Sequence, residues 1–416
     1  MIKAGLLWLH KWLGLFTGLV VFIVSLSGCF YVFYDELKLI VYPQKYYTQD
    51  SVGENSKLLP LTQLIDIAQN ALPKGEKISR TDLYLSPDRT WIFRALKTDE
   101  HAFGNNQYYI YHKRVFINPY SGKVQAVENS KTEFFQIVLQ LHMNLLLGAM
   151  VGHWVVGISV IIFIIILITG VVLWWPKKWT IKKLKRQLWF DFKVKWKRLN
   201  YDLHQILGLY SVIFTLLIAC TGIAFTFPAF KTFYVKSLNG FDSTKEIEQQ
   251  EKFEYVPQNQ SKILDNALNF TISKHPNADM MSIRLRKSPT DPQDIQVRFI
   301  KDRTGEFIWY YFNTGNGQIE KIKQSENAPI GDKIGAMNYD LHVGNYGGIA
   351  TKVLHFFIAL ICASLPITGT IIWLNKKKKK TKKELNNFNY IITILPFAVP
   401  FSNSLCASFT LSTLNP

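Results

Sequence analysis

Apolar residues in this chain gather into four blocks of roughly 20, at 13–34, 152–175, 207–230 and 351–374. A bilayer core about 30 Å thick is crossed by about 20 apolar residues in a helix, so each block predicts a membrane span. The stretches between the first and second blocks, and between the third and fourth, have a different texture. Residues 61–72 and 261–273 read as helices, and 90–95 and 294–299 as strands. Val115-Phe-Ile-Asn118-Pro-Tyr-Ser-Gly122-Lys-Val and Tyr310-Tyr-Phe-Asn313-Thr-Gly-Asn-Gly317-Gln-Ile each read as a strand, an Asn/Gly turn and the start of another strand.

These patterns occur twice because the chain is a duplication. An offset of 194 carries His10, Leu13, Gly14, Leu15, Gly28 and Phe33 onto His204, Leu207, Gly208, Leu209, Gly222 and Phe227. Under the same offset Thr17 and Ser27 become Ser211 and Thr221. The second and fourth blocks align at an offset of 200 at their starts, pairing His142 and Gly148 with His342 and Gly348. Nearer their ends the offset is 199, pairing Thr169-Gly170 and Trp174 with Thr368-Gly369 and Trp373. The small residues Gly28, Gly170, Gly222 and Gly369 read as points of close helix approach. Repeats of this kind place shared sites at their interface.

The formal net charge of +18 raises nucleic-acid binding as a possibility, but its distribution argues for topology instead. Lysines and arginines crowd 177–198 and 376–383, and Lys3 and Lys11 flank the first block. A four-span chain puts all three regions on one side, which the positive-inside rule assigns to the cytoplasm. Both termini are then cytoplasmic and the two long segments lie outside. The cysteines Cys29, Cys220, Cys362 and Cys406 form no Cys-x-x-Cys and avoid the outer segments. Covalent haem attachment and a disulfide framework are both excluded. Leu26-Ser27-Gly28-Cys29 has the form of a lipoprotein cleavage box. The equivalent stretch of the third block cannot be a signal peptide, so span 1 is read as retained.

Four histidines sit in matching register. Asn-Tyr-Asp-Leu-His occurs twice, ending at His204 and His342, and Leu9-His10 and Leu141-His142 occupy the equivalent places in the first half. A histidine beside the bilayer is costly without a partner. The topology puts His10 and His204 at the cytoplasmic face and His142 and His342 at the outer face, so the duplication predicts two like-with-like pairs. Two imidazoles on facing helices can ligate one haem iron axially, which predicts two b-type haems. The competing reading is four interfacial histidines bonded to backbone or headgroups. If span 2 were one continuous helix, His142 would lie about 16 Å beyond the hydrocarbon edge, which brings in His153 and His355 as alternative outer ligands. Those two do not share a register, and His142 and His342 do. Asp202 and Asp340 stand two residues before their histidines and so do not share their helix face. His101, His112 and His275 read as surface residues. No G-x-G-x-x-G follows a strand, so electrons come from a membrane quinol or a separate donor.

Leu9-His10-Lys-Trp-Leu-Gly-Leu, Leu141-His142-Met-Asn-Leu-Leu-Leu-Gly148, Leu203-His204-Gln-Ile-Leu-Gly-Leu, Tyr339-Asp340-Leu-His342 and the Asn118–Gly122 turn together resemble the PepSY-associated transmembrane proteins. The resemblance covers the chain to about residue 380. That family includes siderophore-iron reductases of bacterial inner membranes. The resemblance implies a mainly α membrane protein, with four transmembrane helices built from a duplicated unit of helix, α+β PepSY-like domain and helix. Its divisions are expected at 1–36 (span 1), 37–138 (first periplasmic domain), 139–176 (span 2) and 177–200 (basic cytoplasmic loop). The second half follows as 201–231 (span 3), 232–337 (second periplasmic domain), 338–375 (span 4) and 376–416 (basic tail with an apolar end broken by Pro396 and Pro400). The expected function is haem-dependent reduction of a ferric siderophore in the inner membrane. The alternatives are a haem-free PepSY protein that binds a periplasmic peptidase or other partner, and a non-redox subunit of siderophore uptake.

Overall fold

The computed structural model describes residues 2–50, 57–176, 179–241, 262–285, 291–300 and 304–394, with side chains as far as 378. Among them, four helical segments are long and apolar enough to cross a membrane: Ile2–Val32, Ala149–Trp174, Trp196–Thr226 and Ile349–Lys378. This is a multi-pass membrane protein. The helices used below are α1 (Ile2–Val32), α2 (Leu61–Asn70), α3 (Phe134–Asn144), α4 (Trp154–Trp174), α5 (Trp196–Asp202), α6 (Gly208–Thr226), α7 (Ile263–Lys274), α8 (Asn338–Val343) and α9 (Ile349–Ile394). Spans α1 and α6 each pack against both α4 and α9, so the duplicated halves interlock as a bundle. The helix of the last span, α9, continues past residue 375 through the lysine run to Ile394. Residues 395–416, with the rest of the apolar tail, lie outside the described residues.

Spans 2 and 4 are not continuous with the helices that carry His142 and His342. The chain breaks after α3, where Leu145 and Leu146 adopt φ of 55° and 62° and Gly148 a φ of 79°. After α8 it breaks again at Gly344 and Gly348, with φ of 85° and 68°. Left-handed backbone is natural for glycine and strained for leucine, by roughly 1 kcal/mol or more per residue. Each break lets a short helix fold back, so α3 packs on α1 and α8 on α6.

Eight strands among the described residues form one antiparallel sheet in the order β4-β3-β2-β1-β5-β6-β7-β8. They are β1 (Ile78–Tyr84), β2 (Trp91–Thr98), β3 (Tyr109–Ile117), β4 (Val124–Asn129), β5 (Met280–Arg284), β6 (Gln293–Arg298), β7 (Ile308–Phe312) and β8 (Ile319–Gln324). The two PepSY-like units are therefore not separate sheets; they join edge to edge, with Thr81 opposite Ile283 and Leu83 opposite Met281. The join removes one exposed edge from each unit, where unpaired backbone would otherwise invite aggregation. One face of the sheet buries Leu83, Phe93, Val115, Ile283, Ile295 and Phe312 under α2 and α7. Asp265 of α7 ties these two helices together by accepting from Thr62 N at 2.9 Å and Thr62 Oγ1 at 2.6 Å. Both hairpin turns close as their Asn and Gly residues require: Gly122 N donates to Asn118 O and Gly317 N to Asn313 O.

His112 and His275 are half-buried rather than surface residues. His275 bonds the Tyr310 hydroxyl at 2.7 Å. His112 lies on β3, where burial, helped by Arg114 and Arg94, pushes its pKa down from 6.5 to about 4. The folded state therefore favours the neutral ring. Its stabilising contribution is complete above pH 6.5 and is lost as pH falls towards 4, by about 3 kcal/mol at most. Thermal unfolding compared at about pH 7 and about pH 4.5 is expected to show a smaller pH-induced loss in His112→Phe than in the unaltered protein. An equal loss would show that other groups dominate.

Candidate cofactor sites

The structure brings the four histidines into two pairs. His10 of α1 faces His204, with ring centroids 6.3 Å apart and ring planes at 89°. His142 of α3 faces His342 of α8 at 5.8 Å and 64°. Two imidazoles that each bind one first-row metal through a nitrogen at about 2 Å have centroids about 6 Å apart, so both spacings suit a shared axial metal. His204 sits in a π-helical turn, Leu203–Leu207. The equivalent stretch around His10 is regular α-helix.

Each ring is held by a helix of its own half. His10 Nδ1 bonds Thr169 Oγ1 at 3.0 Å, and His204 Nδ1 bonds Thr368 Oγ1 at 2.9 Å. His342 Nδ1 meets Thr221 Oγ1 at 3.0 Å and Ile218 O at 3.1 Å, while His142 Nδ1 meets Val24 O at 2.8 Å. The threonine hydroxyls already donate to backbone carbonyls: Thr169 to Ile166 O, Thr368 to Ser364 O and Leu365 O, and Thr221 to Leu217 O and Ile218 O. With their protons committed, these hydroxyls can only accept from the histidines, as carbonyls do. His142 and His342, which face carbonyl oxygens, carry the proton on Nδ1; His10 and His204 do the same when the threonine protons stay on the helix carbonyls. The unprotonated Nε2 makes no hydrogen bond among the described residues. That is the tautomer in which Nε2 can ligate a metal, oriented by a hydrogen bond from the opposite nitrogen.

A glycine beside each bond makes room for the ring. A Cβ at Gly28 would lie 3.2 Å from His142 Cε1, at Gly170 3.3 Å from His10 Cε1, at Gly222 3.4 Å from His342 Cε1 and at Gly369 3.2 Å from His204 Cε1. Sequence reasoning took these glycines for helix-packing positions and missed the hydroxyl residues as ring partners. The available signal was Ser27-Gly28, Thr169-Gly170, Thr221-Gly222 and Thr368-Gly369, one hydroxyl-glycine dipeptide for each histidine. Ser27 is the variant case, since its hydroxyl donates to Ile23 O and Val24 O and the carbonyl of Val24 takes the histidine.

The His10–His204 pair opens on a cavity of about 670 Å³. This is within the roughly 300–1,000 Å³ usual for cofactor sites. Its walls are mainly apolar, with Gly14 and Gly208 one helical turn beyond the two histidines, and Lys11 and Lys376 among its lining. A Cβ at Gly14 would touch nothing within 4 Å. An apolar slot with a cationic lining suits a flat, mostly apolar group with carboxylate substituents. Among the described residues no three His, Cys, Asp or Glu side chains cluster to hold a metal by themselves. Two-histidine sets need a macrocycle to supply the remaining donors, so the residues fit haem better than a bare ion.

The sequence model for the PepSY-associated TM region matches residues 7–376. The chain belongs to this family. No curated protein matches it. In this PepSY-associated protein His153 is partly exposed at the end of the π-turn Ala149–His153, with no partner in the symmetric register. His355 is 1% exposed. Its Nδ1 meets Thr351 O at 3.0 Å and its Nε2 meets Leu341 O at 3.1 Å. A neutral ring donates to only one of these carbonyls, but both nitrogens of His355 face backbone oxygen, and Nε2 lies against the residue next to His342. The fold-back of α3 places His142 against Val24 and Gly28 of α1, which removes the 16 Å depth problem posed by a continuous helix. Asp202 pairs with Arg198 at 2.7 Å, and Asp340 accepts from Thr304 N and Gly305 N. Neither aspartate touches the paired rings, in agreement with their helix positions.

Proposed function

We propose that this PepSY-associated membrane protein is a dihaem electron-transfer protein of the bacterial inner membrane, reducing a ferric siderophore or another ferric chelate at its outer face. His10 and His204 would hold one haem b, and His142 and His342 the other. The observation that carries this reading is the common arrangement: all four rings are bonded through Nδ1 to a neighbouring helix, with Nε2 making no hydrogen bond among the described residues, in pairs about 6 Å apart. Haem b, when bound, supplies one-electron redox chemistry. Thr169, Thr368, Thr221 and the Val24 carbonyl fix the rings and raise their basicity. The apolar walls exclude water, and Lys11 and Lys376 offer cationic partners for carboxylates. The two pairs are separated along α1 by the 18 residues from His10 to Gly28, about 27 Å of helix. One pair thus serves each membrane face, with the basic loops supporting a cytoplasmic location for His10 and His204. A quinol or a separate protein is the electron donor in this reading.

The test is a reduced-minus-oxidised optical spectrum of the purified protein, followed by stopped-flow mixing of the dithionite-reduced form with ferric chelates. The expected result is two b-type haems per chain, no oxidation of NADPH by the protein alone, and reoxidation by at least one ferric chelate. A haem-free spectrum would leave a partner-binding PepSY protein as the better reading. Haem without chelate-dependent reoxidation would point to a quinone-linked or sensory role.

A further inference from the structure

The sheet face away from α2 and α7 carries a row of arginines on adjacent strands. Arg114 of β3 is directly opposite Arg94 of β2. Arg94 is opposite Arg80 of β1, and Arg80 is opposite Arg284 of β5. Like charges directly across a sheet repel, so such a row needs compensation. Glu128 and Glu133 neutralise Arg114. Asp82 serves both Arg80 and Arg94, and Asp294 serves Arg284. Burial alone would raise the Asp82 pKa, but Arg94 and Arg80 hold it down to about 2. Arg298, on β6, adds another guanidinium close enough to Arg80 and Asp82 to feel both charges.

This arrangement gathers the guanidiniums of Arg80, Arg284 and Arg298 at the join between the two repeats. A pocket of about 250 Å³ opens there, lined by Arg80, Arg284, Arg298, Ser282, Gln296 and Trp309. Among the described residues no carboxylate lines it, since Asp82 and Asp294 are 1% and 0% exposed. Arg284 lies over the Trp309 ring at 4.9 Å, which holds its planar group beside a flat wall. The pocket belongs to the sheet face turned towards the membrane helices, since Arg114 on the same row donates to Tyr34 Oη just beyond α1 at 3.0 Å. The segment that follows β6 is bonded to Asp340 of α8, the helix that carries His342.

We infer that this pocket is an anion-binding site for the carboxylate groups of a metal polycarboxylate chelate. The inference rests on the reductase reading for its biological sense and gives that reading a substrate class. Guanidinium forks match carboxylates in bidentate geometry, and three of them around a small pocket favour a multiply charged anion over a neutral or cationic chelate. The volume suits one carboxylate-bearing part of a chelate, leaving the metal centre outside the pocket.

The experiment uses the full-length protein in detergent with gallium(III) citrate, a redox-inert probe, compared with a neutral gallium(III) trihydroxamate by calorimetry. The citrate chelate is expected to bind at least about 10-fold more tightly, with affinity falling as salt rises. Arg80→Gln and Arg284→Gln are each expected to weaken it about 10-fold, while Arg80→Lys loses less and binding of the neutral chelate is unchanged. Equal binding of the two chelates, phosphate binding without chelate binding, or undiminished affinity in both Gln variants would overturn the inference. The comparison of chelates on the unaltered protein remains decisive even if a variant fails to fold. Gallium accepts no electron here, so the outcomes separate. Binding without ferric reduction would remove the reductase reading and keep the anion site; reduction without charge selection would do the reverse.

Discussion

His10→Ala and His204→Ala are each expected to remove half of the bound haem, and the double variant to lose no more than either single. The physical reason is that in the dihaem reading two rings 6.3 Å apart would serve one metal, so the second loss has nothing left to act on. His142→Ala and His342→Ala should behave in the same way for the other half, and one substitution from each pair should leave none. Pyridine haemochrome content per chain, read with the reduced-minus-oxidised spectrum, checks this. If His153→Ala or His355→Ala emptied the second site while His142→Ala kept it, the assignment of His142 and His342 as ligands would be wrong.

The second large effect is expected from residues that touch no metal. Thr368→Val preserves shape but removes the hydroxyl that bonds His204 Nδ1 at 2.9 Å. Loss of an orienting partner of this kind costs about 10- to 100-fold in retention of a metal group. Gly28→Leu should go further. A Cβ there already comes within 3.2 Å of His142 Cε1, and the rest of a leucine would occupy the space of the ring. Gly28→Ala is expected to be intermediate, because a few tenths of an ångström can be absorbed by a shift of the imidazole. Haem retention through gel filtration ranks the three variants. A Gly28→Leu protein that kept full haem at the His142–His342 site would show that this glycine serves helix packing alone.

Much of the site was legible because duplication turns one weak signal into four. A single histidine at a helix end says little, but His10, His142, His204 and His342 in register specify two pairs before any coordinates are known. The same repeat predicted both Asn/Gly hairpins, since a tight turn needs those residue types whatever surrounds it. The central strands β1 and β5 were much harder to read. Arg80, Asp82 and Ser282 make them polar on one face, and their pairing joins residues about 200 positions apart.

The sequence by itself determined the four spans, the basic loops, the repeat and the pairing of histidines, because hydropathy, charge and register are properties of the linear chain. Tertiary structure decided what those residues touch. Only the folded chain shows that Leu145, Leu146 and Gly344 turn left-handed so that α3 and α8 fold back and lower His142 and His342 beside α1 and α6. It also converts four hydroxyl-glycine dipeptides into seats for imidazoles and fuses two half-sheets into one. Each of these outcomes depends on contacts between helices or strands distant in sequence. Local pattern carries no record of them, since a glycine that admits a neighbouring helix and a glycine that admits a histidine ring leave the same mark on the chain.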